Sequence, residues 1–504
     1  MAIEVKKQGA NYSIPQNDGT VAVAINKRHV FSRERIKEKY QGFQAPLPER
    51  QILLVLVDAL IVMAATLATF LVWGQIENSG LDVASRIIAR WYWFPILLSS
   101  WWALAWLNDL YYIPYSFDKI SSVVRVAFVG GTILLVYMTI STLIPSELPR
   151  IFFLYFLIIA WPAVTLWRYM YAMLFSPSQR RVLIVGRGER GQSMARVLQQ
   201  ASKLNYQVLG YTEDGDLETQ ESGPDDLPIL GKAADLPRLV RQFRIHEVVV
   251  AIEQNLKTDL FEWLVECQAR GVQVSWMPNL YERLFRCVPI QYVDPMWALS
   301  VMQGKPVFER LQLACKRLLD LALATAGLVV FAPFSLLVAL AIRLDSPGPI
   351  LYRQVRSGRA GKPFIIIKFR TMIHNAEQDG QARWATKGDD RITRVGRFLR
   401  KTRLDELPQL ANVLRGEMSI VGPRPERPEF IQVLEQEVPF YRTRLMAKPG
   451  LTGWAQIHYS YGNTVLDALI KLQHDFYYMN HWSLWLDLYI IYRTLGVVLG
   501  FKGT

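Results

Sequence analysis

Cysteine is nearly absent from this chain: Cys267, Cys287 and Cys315 are the only three in 504 residues. Their spacing matches neither a zinc ligand set nor a redox pair, which excludes a disulfide framework and a structural zinc site. Histidine is scarce too, with six residues scattered along the chain. They form no HExxH pattern and no Ser-His-Asp arrangement, so hydrolytic chemistry of those kinds has no candidate residues. An apolar leader is also missing. Residues 1–50 are polar and carry Lys6, Lys7, Lys27, Arg28, Arg33, Arg35, Lys37 and Lys39, which reads as a basic cytosolic tail and not as a cleavable signal.

Apolar residues and positive charge are what the chain has in plenty. Hydrophobic residues make up 51% and the formal net charge is +13, so more than one domain is expected. Such a charge suits nucleic acid, anionic lipid or phosphorylated substrates. Long apolar runs make nucleic acid the poorest of the three, and no nucleic-acid partner is expected. Four such runs, 52–73, 91–111, 123–143 and 151–174, each have about the 20 residues that cross a bilayer as a helix. They predict a four-helix transmembrane bundle over 51–175. Trp91, Trp93, Trp101, Trp102, Tyr111 and Tyr112 suit interfacial belts. The basic tail places the N terminus in the cytosol, and an even number of crossings returns the chain there beside Arg180 and Arg181.

A fifth apolar run, 318–342, would count as another crossing by hydropathy alone. Lys316 and Arg317 precede it, however, and Arg343, Arg353, Arg356 and Arg359 follow it, so positive charge marks both ends as cytosolic. Pro333, near its centre, removes a helix hydrogen bond and kinks the chain. The expected form is a re-entrant helix-break-helix that enters and leaves the bilayer on one face.

Residues 180–301 form the soluble part between these membrane segments. RVLIVGRGERG gives a short strand and then Gly186, Gly188 and Gly191 in GxGxxG spacing. YQVLGYTED supplies a second strand ending in Glu213 and Asp214; HEVVVAI and GVQVSWM supply two more. The pattern predicts an α/β Rossmann-like domain, its glycines letting a pyrophosphate approach a helix N terminus. A working nucleotide site and a purely structural glycine turn both remain open.

The densest chemistry lies in RITRVGRFLRKTRLDE, from Arg391 to Glu406. Wound as a helix, Ile392, Val395, Phe398 and Leu399 share one face, with Arg394, Arg397, Arg400 and Lys401 opposite. Asp405 and Glu406 follow at once. Carboxylates beside so much positive charge should be ionised at neutral pH, and a metal ion or phosphates are the expected guests. Lys368 and Arg370 alternate along IIIKFR and should face a phosphate together. Arg424, pinned between Pro423 and Pro425, offers a preorganised anion or uridine contact. In KPGLTGWAQI, Gly450 and Gly453 permit a tight loop, Lys448 and Gln456 are candidate ligand contacts, and Trp454 reads as core.

SPGPILYRQ, IKFRTM, the LDE segment, GEMSIVGPRPE and KPGLTGWAQI, in that order, resemble the bacterial sugar transferases. These are monotopic polyprenyl-phosphate hexose-1-phosphate transferases that begin exopolysaccharide and O-antigen assembly. The resemblance covers about 308–504 and implies an α/β monotopic catalytic domain whose re-entrant helix is 318–342. The whole chain is similar to the large members of the family, in which the central domain is not the seat of transfer. One departure stands out: the residue before the membrane-helix proline, often serine in the family, is Ala332 here.

The resemblance further implies that Asp405 is the nucleophile, forming an aspartyl-phosphosugar and releasing UMP. Glu406 would coordinate Mg²⁺ or orient the nucleophile. The partners would be a UDP-hexose (UDP-glucose first, UDP-galactose second), undecaprenyl phosphate and the bilayer. The implied location is the bacterial inner membrane with the catalytic domain cytosolic. The sugar, the oligomeric state and the polymer built downstream are left open. A membrane-bound NAD-dependent nucleotide-sugar dehydratase or epimerase would need a Tyr-x-x-x-Lys pair. That spacing occurs at Tyr115 and Lys119, between expected spans and upstream of the glycine loop. A non-enzymatic polysaccharide-assembly scaffold is the other alternative.

Overall fold

The structure is a computed structural model that describes residues 49–76, 83–111, 119–143, 150–174, 180–200, 206–213, 227–252, 257–293, 309–374, 376, 389–459, 462 and 464–499. Nearly all of the basic tail, together with Tyr115 and Asp214, lies outside them.

The N-terminal bundle contains α1 (Glu49–Ile76), α2 (Val83–Ala89), α3 (Trp93–Leu107), α4 (Lys119–Leu143) and α5 (Arg150–Leu174). Each long helix turns one side inward: Leu54, Val62 and Phe70 of α1 pack with Leu97, Trp101, Val129, Phe152 and Phe156. Its other side carries exposed apolar residues such as Leu56, Leu60, Leu67 and Leu71 on α1. That surface suits lipid. Inside the bundle, Arg168 and Asp58 form a fully buried ion pair, and Arg168 also donates to the carbonyl of Leu110 at 3.1 Å.

The expected spans and the observed helices differ in one place. Among the described residues, four helices are long and apolar enough to cross a membrane: Gln51–Trp73, Ile120–Ile140, Arg150–Leu174 and Arg310–Asp345. The 91–111 run is not among them. Its helix, α3, has 15 residues, about 22 Å at the standard rise, short of a hydrocarbon core of about 30 Å. Turns at Arg90–Tyr92 and a left-handed Asp109 (φ 55°) cut it off at both ends.

The central domain alternates strands and helices: β1 (Arg180–Val185), α6 (Glu189–Gln200), β2 (Tyr206–Glu213), β3 (Ile229–Lys232), α7 (Leu236–Phe243), β4 (Glu247–Val250), α8 (Thr258–Ala269), β5 (Gln273–Trp276) and α9 (Met277–Phe285). The sheet is wholly parallel in the order β3-β2-β1-β4-β5. Past the exposed Arg180 and Arg181, β1 is apolar and buried, and β4 is buried throughout, because both faces are covered there.

The C-terminal region opens with α10 (Glu309–Asp345), a single 37-residue helix that runs through Pro333 without the break expected there. Its N-terminal part is fastened to the domain. Lys316 donates to Asp487 at 2.6 Å and to the carbonyl of Val421 at 3.1 Å. Asp320 accepts from the Ser419 hydroxyl and the Ile420 N–H at 3.0 and 2.9 Å. Beyond Gly327, Val329, Val330, Phe334, Leu336, Leu337, Leu340 and Leu344 are all exposed. Ala332 carries no hydroxyl, but Ser335 donates back to its carbonyl at 2.6 Å.

The hairpin β6 (Leu351–Ser357) and β7 (Pro363–Phe369) follows, then α11 (Arg394–Thr402), α12 (Leu410–Arg415), β8 (Ser419–Val421), α13 (Pro428–Glu437), β9 (Gly450–Thr452), α14 (Trp454–His458), α15 (Val465–Asn480) and α16 (Leu484–Leu499). Val413, Met418, Trp454, Leu472, Phe476, Tyr489 and Ile490 form their core. Val288 and Ile290, from the end of the central domain, belong to the same cluster.

Candidate active site

Three segments meet at Glu406. β7 carries Lys368 on its last full pleat. α11 is capped by Thr393, whose hydroxyl accepts from the Gly396 N–H at 3.0 Å, and it lies tight against the strand end: a Cβ on Gly396 would overlap the Thr371 backbone. The expected continuous helix stops at Arg403, which is left-handed (φ 56°), and a 3-10 turn, Leu404–Gln409, begins there. This break turns Asp405 and Glu406 inward, 8% and 7% exposed. The third segment is the Pro423–Arg424–Pro425 loop.

The two carboxylates occupy opposite electrostatic settings. Lys368 donates to Glu406 Oε1 at 3.2 Å, Arg424 pairs with the same oxygen, and Arg403 lies 3.8 Å from Oε2. Burial opposes its charge, but Arg424, Lys368 and Arg403 outweigh burial and hold the carboxyl well below the usual range. Glu406 in turn raises the Arg424 guanidinium further, while burial lowers the Lys368 ammonium. Asp405 has no hydrogen-bond partner among the described residues. Burial, then the charge of Glu406, pushes it up to about 6 despite Lys368, Arg400 and Arg424. At that value Asp405 is still mostly ionised at neutral pH, but lost hydration, and not the positive charge around it, dominates its setting.

The other expected site residues divide into those near this centre and those elsewhere. Arg400 donates through Nε to the Thr371 hydroxyl at 2.9 Å, and its charge reaches Asp405. Arg394 and Arg397 are exposed on α11, as is Phe398, which was expected to face the core. Arg370 is a brace: it donates to the carbonyls of Pro347 and Ser346 at 2.8 and 2.6 Å. It lies one residue past the end of β7, so the pleat that would align it with Lys368 has already ended. Lys448 has Arg317, Asp320 and Arg359 as its electrostatic neighbours. Gln456 turns back to the Leu451 carbonyl at 3.3 Å. Trp454 is 1% exposed and stacks on Tyr477, so it is core.

In the central domain, Gly186 is left-handed (φ 96°), and a Cβ on Gly191 would overlap its carbonyl. Both glycines thus have a packing reason. Gly188 accepts from the Gln192 N–H at 3.1 Å in the first turn of α6.

Sequence reasoning missed Arg403, Arg356, Arg444 and Asp475. Arg403 stood inside the basic stretch, but its left-handed backbone has no sequence signal in a non-glycine residue. Arg444 and Asp475 are 31 residues apart, and only the fold pairs them. Among the described residues no cluster of three or more His, Cys, Asp or Glu side chains could hold a metal. Mg²⁺ commonly needs only one or two carboxylates and completes its shell with water and substrate phosphate. Asp405 and Glu406 fit that requirement, with the unpaired oxygens on Asp405.

Two known families match parts of the chain. Residues 311–501 match the bacterial sugar transferase family and residues 107–278 match a CoA-binding domain. The UDP-N-acetylgalactosamine-undecaprenyl-phosphate N-acetylgalactosaminephosphotransferase of Aeromonas hydrophila is 39% identical over 247 residues, 49% of this chain and 57% of that protein. The UDP-glucose:undecaprenyl-phosphate glucose-1-phosphate transferase of Xanthomonas campestris pv. campestris is 32% identical over 64% of this chain and 67% of its own length. That of Escherichia coli K12 is 33% identical over 65% and 68%. With relatives above 30% identity matched across two thirds of their length, and with the carboxylate turn, arginine loop and membrane helix inside the matched region, the chain belongs to the bacterial sugar transferase family.

Proposed function

We propose that this protein is a membrane phosphoglycosyl transferase that moves a hexose 1-phosphate from a UDP-hexose to undecaprenyl phosphate. The observation that carries this reading is the contrast at the turn: a buried, unpaired Asp405 beside a Glu406 already engaged by three cations. An oxygen of Asp405 attacks the β-phosphorus. The bond from that phosphorus to the oxygen bridging to the α-phosphorus breaks, and UMP leaves with that oxygen. An oxygen of the lipid phosphate then attacks the same phosphorus, the Asp405–phosphorus bond breaks, and polyprenyl diphosphate-hexose is formed.

Arg424 neutralises the donor phosphoryl oxygens that would otherwise repel Asp405, and Lys368 and Arg400 do the same for each nucleophile in turn. Glu406 holds Lys368 and Arg424 in place before the donor arrives. Bound Mg²⁺, held at Asp405 and Glu406, would supply further charge neutralisation to the diphosphate. UDP-glucose is the first donor to test, because several relatives carry it in their names. UDP-N-acetylgalactosamine and UDP-galactose follow, because others carry those. The dehydratase alternative is not favoured by the comparisons, and Lys119 of its required pair lies at the start of α4.

The exposed apolar part of α10 and the exposed Phe398, Trp485 and Leu488 support a domain resting on the cytosolic leaflet, and the positive charge at both ends of α10 supports a helix that re-enters that leaflet, bending at Pro333. The strand order β3-β2-β1-β4-β5 supports a Rossmann-like central domain.

Purified protein, Mg²⁺ and undecaprenyl phosphate incubated with each UDP-sugar should release UMP from one of them. Labelled donor alone should leave hexose phosphate on the protein, and Asp405→Asn should abolish both signals. Release of UDP, or label that never becomes covalent, overturns the mechanism. Cysteine labelling should place both ends of α10 on the cytosolic side; labelling on opposite sides would make it a crossing helix.

A further inference from the structure

Every backbone carbonyl from Pro423 to Glu426 is held from behind. Pro423 accepts from the Gly450 N–H at 2.9 Å, Arg424 from Arg444 Nη2 at 3.0 Å, Pro425 from Arg356 Nη1 at 3.2 Å, and Glu426 from the Ser357 N–H at 2.9 Å. Two prolines fix φ within the same four residues. The loop therefore has little freedom, and its arginine side chain is directed at Glu406.

Two of the four donors are guanidinium groups, which are expensive to bury for the sake of a carbonyl. Arg444 is 5% exposed and Asp475, its partner at 2.9 Å, is 1% exposed. Arg444 also donates to the Tyr441 hydroxyl at 2.5 Å. A buried ion pair of this kind contributes little to stability compared with apolar residues of the same volume. What the arginine offers, and an apolar residue could not, is a rigid fork joining α15, the 3-10 turn Tyr441–Met446 and the Arg424 carbonyl.

We propose that Arg444, locked by Asp475, is a positioning residue for Arg424: by fixing the carbonyl of Arg424 it sets the direction of that side chain toward the donor diphosphate. The inference rests on the reading of Arg424 as a donor contact. Preorganised charge stabilises a transition state without reorganising during the reaction, so a loosened loop should weaken the use of the donor while leaving the lipid acceptor unaffected.

The test is a double-mutant cycle on the full chain in detergent, reading UMP release against UDP-sugar and against lipid phosphate. Arg424→Ala should lower kcat/KM for the donor about 100-fold, and Arg444→Lys about 10-fold, with KM for the lipid unchanged. Placed on Arg424→Ala, the Arg444→Lys change should cost no more than about 2-fold further, because its effect passes through Arg424. Asp475→Asn should repeat the Arg444→Lys pattern and serves as the second probe if that variant folds poorly. Losses that multiply in the double variant, or that fall equally on donor and lipid, mean a structural role only and overturn the proposal. Should Arg424→Ala itself leave donor kinetics unchanged, the donor-contact reading fails and takes this inference with it.

Discussion

At the scale of single residues, adjacent carboxylates behave as opposites because one has partners and the other does not. Asp405 binds its proton more tightly in the folded chain, at about 6, than at the ordinary 3.8. Between those values the native state holds more protons than the unfolded one, so this residue's contribution to stability falls as pH rises and its full penalty applies above about pH 6. Asp405→Asn should therefore abolish transfer yet stabilise the fold at pH 7.5, by no more than about 3 kcal/mol for a shift of about two units, read as a higher melting temperature. Glu406→Gln should do the reverse to stability, because it leaves Lys368, Arg403 and Arg424 without their shared counter-charge. Removing one partner from such a buried network costs about 3 kcal/mol. Thermal melts of both variants at one pH decide the matter: shifts of the same sign would show that the two environments have been misassigned. In the parent enzyme, the phosphosugar burst should grow with pH through about 6 and then level off.

At the scale of elements, α10 is two helices in function although it is one in geometry. Its exposed apolar part suits lipid, and its first turns are part of the catalytic domain. Asp320 makes that join, since its carboxylate satisfies both the Ser419 hydroxyl and the Ile420 N–H where β8 begins. Asp320→Ala should lower stability by about 2–3 kcal/mol through those unsatisfied donors, measured as a lower detergent-phase melting temperature. An unchanged melt would mean that water replaces the carboxylate. The sequence showed the apolar length of this helix, the proline, the glycine turn of α6, the parallel strands and the segment holding both carboxylates. It presented Lys316 and Arg317 as topological markers but not their partners: Lys316 is held by Asp487, and Arg317 by the carbonyls of Val413 and Leu414 at 2.7 and 2.8 Å. Residue type carries charge and hydropathy along the chain but not the carbonyl a side chain will find. For that reason Arg370 read as a ligand, Arg403 as one more helical arginine, and Arg444 not at all.

At the scale of the whole molecule, bundle, central domain and catalytic domain are joined by buried polar contacts that link them more specifically than greasy surfaces alone would. Trp454 donates to the carbonyl of Arg286 at 2.9 Å and Val288 to that of Gln473 at 3.0 Å, which seats the end of the central domain on the catalytic core. Asp109, left-handed and 5% exposed, is the corresponding joint on the bundle. Tyr489 of α16 donates to it at 3.0 Å, Arg125 of α4 and Arg493 of α16 lie within 3.9 Å, and Tyr492 donates to the neighbouring Asn108 at 3.0 Å. Arg168, buried in the bundle, holds the carbonyl of Leu110 from the other side. Asp109→Ala would leave the buried Tyr489 hydroxyl without its acceptor and remove the countercharge facing Arg125 and Arg493, a loss of about 3 kcal/mol concentrated at one interface. The expected result is earlier proteolytic release of the catalytic domain from the bundle, with Asp109→Asn intermediate because an amide oxygen can still accept from Tyr489. Digestion of both variants at the parent rate would show that α16 is held to the bundle by its apolar contacts, among them the edge-on packing of Trp485 against Trp106, and that the charge at position 109 contributes nothing to the joint.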